Sequence, residues 1–134
     1  MITRLLARLW GPSTHDELVT ETADRAVFRL TYGGLIIGVL TADTGTWRFV
    51  YSDQFKEQIG ASGGIRTLTD FPDTDKVYSS EELLPFFLAR IPGQSQPEFQ
   101  ARVEARGLDR RNAVHLLREF GERSISNPFR VTPA

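Results

Sequence analysis

A chain of 134 residues with 40% hydrophobic and 25% charged residues is sized for one domain, and it can bury a core without a disulfide or metal staple. It has no cysteine and only two histidines, His15 and His115, which excludes thiol nucleophiles, disulfide frameworks and zinc–thiolate clusters. A net charge of −1 excludes bulk attraction to nucleic acid or anionic lipid. Nothing points to an oxidising compartment, so a cytosolic protein is expected, and no run reaches the roughly 20 apolar residues of a membrane span.

Charge is unevenly spread. Residues 1–12 carry +2, residues 13–100 carry −6 and residues 101–134 carry +3. Of the 16 basic residues only Lys56 and Lys76 are lysine; the arginine excess fits a biased genome as readily as a function.

In residues 1–10, Ile2, Leu5, Leu6 and Leu9 recur at helical spacing, with Arg4 and Arg8 on another side, until Gly11-Pro12 stops the helix. Arg8 interrupts the apolar run and no small-x-small cleavage site follows, so a signal peptide is rejected. Residues 13–24 are polar and acidic, as a linker would be. Residues 1–25 are therefore an N-terminal extension, which either packs on its own domain or reaches a partner.

Strand patterning begins at Ala26. Ala26–Tyr32 alternates, and Gly33-Gly34 supplies a tight hairpin turn. Leu35–Thr41 returns with apolar residues on both faces, as a central strand does. Asp43-Thr44-Gly45 turns again into Thr46–Tyr51, which sets Trp47, Phe49 and Tyr51 on one face. Residues 52–64 loosen toward Gly60-Ala61-Ser62-Gly63-Gly64, and a short strand is expected at Ile65–Leu68, before an acidic loop.

Helical signals follow. Ser79 and Glu82 form a capping box ahead of Leu83, Leu84, Phe86, Phe87, Leu88 and Ile91, although Pro85 places the true start a few residues later or distorts the first turn. Ser95 and Glu98 repeat the signature, with Phe99 and Val103 buried and Gly107 as the stop. Asp109 caps a third helix that turns Ala113, Leu116, Leu117 and Phe120 to one face and ends at Gly121. The expected fold is α+β over residues 26–121: a small antiparallel sheet, a meander plus a short extra strand, followed by three helices packed on one side. Residues 122–134 remain as a C-terminal tail.

No constellation for chemistry stands out. A hydroxyl nucleophile needs a held base; His15 falls in the linker and His115 off its helix's apolar face. Asp73/Asp75 and Glu81/Glu82 read as solvated loop and helix-start charge. Gly60–Gly64 has no lysine to make a phosphate loop. No catalytic, cofactor-binding or metal-binding residue is assigned, and no cofactor is expected. For partner binding, Trp10, Trp47 and Phe129 offer anchors with Arg102 and Arg106 on the rim, although Trp47 reads first as core; Arg102, Arg106 and Arg110 form a stripe if the break at Gly107 does not rotate them apart, and a solvated face explains them as well.

The order of segments resembles the N-terminal subdomain of HipA-like serine/threonine kinase toxins. The likeness rests on Leu30–Leu40 with its Tyr-x-Gly and Gly-x-Leu, on Trp47–Tyr51, on Ile65–Pro72, which is similar to a Ser-Leu-Ser-Leu-Pro stretch, and on Tyr78–Phe87 through Ile91-Pro92-Gly93. It covers residues 26–121. In the full-length toxins a kinase core follows, and Glu122–Arg130 does not match its Gly-rich beginning, so no catalytic residue carries over. The extension before residue 26 is outside the family pattern. A free-standing form of this subdomain occurs in split systems, beside a separate kinase and a helix-turn-helix repressor. The resemblance thus implies a non-catalytic toxin–antitoxin component that binds a HipA-like kinase chain and neutralises or regulates it. The alternative is an accessory subunit of a repressor–kinase complex on operator DNA that does not inhibit the kinase. Neither reading involves a membrane.

Overall fold

The computed structural model of the chain describes residues 18–62, 66–122 and 128–134. The expected helix over residues 1–10, with Trp10, lies outside them.

The expected meander forms as β1 (Ala26–Tyr32), β2 (Leu35–Asp43) and β3 (Thr46–Tyr51), each antiparallel to the next. At the second turn Thr44 and Gly45 both have positive φ, 50° and 78°, the pair of left-handed conformations that matches the twist of a two-residue hairpin. Two further strands complete an open sheet in the order β4-β3-β2-β1-β5, with β4 at Tyr78–Ser80 and β5 at Arg130–Pro133. As the apolar run at Leu35–Thr41 implied, β2 is central.

The extra strands differ from the expectation in place. Residues 66–68 are not a strand; the Leu68 amide instead donates to the Tyr51 hydroxyl. The edge beside β3 is taken by Tyr78–Ser80, facing Phe49, Arg48 and Trp47. On the opposite edge, Arg130–Pro133 from the sequence-assigned tail pairs with Thr31–Phe28.

Four helices occur among the described residues, one more than expected. α1 (Asp53–Ser62) replaces the first part of the supposed loop. Ser52 starts it, because its hydroxyl accepts from the Phe55 amide at 3.0 Å, and helical bonding carries the chain through Gly60. The capping box at Ser79/Glu82 does not form: both serines belong to β4, and Ser80 Oγ accepts from the Glu82 amide in a local turn. α2 is the single turn Pro85–Leu88, with proline in the first turn, where its missing N–H costs nothing. α3 (Pro97–Arg106) likewise starts on proline after Gln96, without a side-chain cap from Ser95, and ends at Gly107 in the left-handed conformation. α4 (Ala113–Phe120) is capped by Asn112, whose side chain accepts from the His115 amide; Asp109 lies one turn earlier and accepts from the Arg111 amide.

The core lies between one face of the sheet and the helices. Phe28, Leu30, Leu40, Trp47, Phe49, Tyr51 and Val131 point inward and meet Phe55 of α1, Phe87 of α2, Phe99 of α3 and Leu116, Leu117 and Phe120 of α4. Aromatic pairs tie the sheet to the helices, with Tyr51 stacked on Phe55 at 4.9 Å and Phe49 against Phe87 at 5.6 Å, while Phe99 stacks on Phe120 at 5.8 Å between α3 and α4.

The described end of the acidic linker is tied to this body. Val19 donates to the Arg111 carbonyl and accepts from the Ala113 amide, and the Asn112 amide group donates to Asp24. Thr20 accepts the indole N–H of Trp47 at 2.6 Å.

Candidate interaction surface

The sequence singled out five residues, and of the four that fall among the described residues only Arg102 and Arg106 lie together. Trp10 is outside the described residues. Trp47 is 0% exposed, stacked on Phe28 and hydrogen-bonded to Thr20, so it is a core residue and presents no surface. Alternation along β3 carries it inward with Phe49 and Tyr51.

Arg102 and Arg106 come together on one face of α3, as their spacing of four requires. Both reach Glu119 of α4, at 3.2 and 3.7 Å, and Arg102 also lies over the Phe120 ring. Arg110 lies instead over Phe99. The supposed stripe therefore largely serves to clamp α3 against α4, with its charge partly spent on Glu119. Phe129 sits elsewhere, half-buried just before β5, between Tyr32 at 5.3 Å and Phe86 at 5.9 Å. His115 is exposed, as its helical position implied.

A surface that the sequence reading did not assemble lies on the other face of the sheet. Residues directly opposite in an antiparallel pair share a face, so the registers define it. One row joins Arg48, Thr41 and Val27; the next joins Val50, Val39, Arg29 and Thr132; a third joins Thr31 and Arg130. The helix anchors named above all pack on the opposite, inward side. Among the described residues no helix covers these rows, and Val27 and Val50 are 44% and 38% exposed.

The face has a distinct chemistry. Its centre is β-branched, with Val27, Val39, Val50, Thr31, Thr41 and Thr132. Arg48 on β3, Arg29 on β1 and Arg130 on β5 cross it as a diagonal, each exposed and without an ion pair among the described residues. The carboxylate on the same side of β2, Asp43, lies at the end of the strand and is already held by Arg25 at 3.1 Å. No signal in any single strand reveals this diagonal, because it exists only once the register is set.

An open antiparallel sheet whose helices, among the described residues, gather on one face defines a small α+β domain. The profile of the HipA N-terminal domain matches residues 28–125. The chain belongs to the HipA N-terminal domain family, the part of HipA-type proteins that is distinct from the kinase catalytic domain. No curated protein sequence matches the chain closely. Among the described residues no helix is long and apolar enough to cross a membrane.

Proposed function

We propose that this protein is the regulatory component of a toxin–antitoxin system: it binds a HipA-like serine/threonine kinase chain and holds it inactive. The observation that carries the reading is the family match across residues 28–125, which runs from within β1 through the rest of the meander, the four described helices and β4. Membership supports a toxin–antitoxin setting, and a domain of this type supplied as a partner chain can occupy the position that the covalently joined subdomain takes.

The physical argument is one of replacement. A kinase chain without its N-terminal subdomain leaves apolar surface uncovered, and burying that surface drives association. The protein supplies the missing layer and thereby fixes one arrangement of the kinase. Its inhibitory effect then equals its preference for the inactive arrangement over the active one.

Co-expression is the test. Growth arrest caused by the HipA-like kinase encoded nearest to this protein in its genome should be relieved when the full chain is produced with it, and the two should co-purify. Arrest that persists undiminished while both proteins accumulate would overturn the antitoxin reading.

A further inference from the structure

We infer that the open sheet face is the surface by which the chain docks on its kinase partner, against a region of that partner that is apolar at the centre and carries carboxylates opposite Arg29, Arg48 and Arg130. This rests on the kinase-binding reading above and specifies which surface performs it.

Three observations converge on the face. Its centre of valines and threonines is partly exposed, and such side chains lose little rotamer freedom when covered. Its three arginines stand in a diagonal from β3 through β1 to β5, with neighbouring strands roughly 4.8 Å apart, so they can meet separate carboxylates at once. None of the three is neutralised within the described residues, whereas Arg102 and Arg106 on the helical side share Glu119 and Arg25 holds Asp43. An arginine aimed outward from a sheet beside apolar neighbours favours a planar acidic partner that accepts bidentate hydrogen bonds.

The same observations disfavour other occupants. A second copy of the chain meeting this face by two-fold symmetry would set arginine near arginine without a free carboxylate to separate them. A nucleic acid would want a broad basic field and exposed stacking rings. Here the net charge is −1, and the aromatic residues at the centre of the sheet, Phe28, Trp47, Phe49 and Tyr51, all point into the core.

The experiment is a calorimetric titration of the purified kinase chain with the full protein and two variants. Arg29→Glu/Arg48→Glu/Arg130→Glu should weaken binding roughly 30-fold or more while the thermal midpoint stays close to that of the parent. A control with the same change in net charge, Arg66→Glu/Arg118→Glu with Arg110→Glu, lies off the face and should change affinity by less than about threefold. Val27→Thr/Val50→Thr, which retains the β-branched shape, should weaken binding by about tenfold and separates contact from long-range charge. Unchanged affinity in the triple reversal, with the parent binding the kinase normally, overturns this surface and leaves the kinase reading intact. No binding by the parent overturns the kinase reading and this inference with it. Binding of a random-sequence DNA duplex that is lost in the triple reversal would reassign the face to phosphate and overturn it as a protein-docking surface.

Discussion

Gly38 shows how one missing side chain positions the core. A Cβ there would stand 2.5 Å from Cζ of Phe49 and 2.6 Å from the Val50 carbonyl oxygen. The Phe49 ring occupies that space and from it reaches Tyr51, Phe71 and Phe87. Gly38→Ala should therefore lower stability by about 2 to 3 kcal/mol through displacement of the ring and β3, measurable by denaturant unfolding. Tyr51 makes a second such point: its hydroxyl donates to the Phe71 carbonyl at 2.6 Å and accepts from the Leu68 amide at 3.0 Å, binding the 66–71 loop to the sheet. Burial, the largest influence, holds its phenol above the ordinary value of 10. Unfolded phenol ionises first, so above about pH 10 the unfolded chain holds fewer protons and stability falls as pH rises. Tyr51→Phe should cost about 1 to 3 kcal/mol near neutral pH and make the alkaline loss shallower, readable in thermal midpoints across pH. A variant with the parent's alkaline slope would contradict the assignment.

The helices and strands record where sequence patterns carry information. The meander was readable because alternation, Gly33-Gly34 and Asp43-Thr44-Gly45 all act over a few neighbouring residues. β5 was not: Arg130–Pro133 is four residues ending in proline, and it becomes a strand only because β1 has a free edge. α1 was hidden by its own glycine, since Gly60 reads as a loop while Phe55 and the Ser52 cap favour a helix. Arg90 gave no signal at all. Its buried guanidinium donates to the carbonyls of Gly121, Glu122 and Phe129, so it joins the turn after α2 to both ends of the α4–β5 connection. Arg90→Met should cost about 2 to 4 kcal/mol by leaving those carbonyls short of donors. Hydrogen exchange should show β5 released first, through the Val131 amide that bonds to Gly121. Equal protection of Val131 in parent and variant would refute the role of Arg90 as a clip.

Taken as one body, the chain divides its chemistry between two faces. Among the described residues Phe28, Trp47, Phe49 and Tyr51 of the sheet point inward under the helices, and Arg29, Arg48 and Arg130 stand on the open sheet face. The anchors chosen from the sequence illustrate why the surface could not be drawn from it: Trp47 reads equally as core or as anchor until the helices cover the inward face of β3, and Arg102 and Arg106 look free until Glu119 arrives from another helix. Partner surfaces depend on register and packing, which connect residues far apart in the chain. The family, by contrast, is carried by ordered local motifs and could be recognised from them. Kinase autophosphorylation measured while this protein is added in rising amounts tests the central claim most directly. The account predicts that activity falls to background as the protein approaches equimolar with the kinase; autophosphorylation that stays constant through a large molar excess would contradict it.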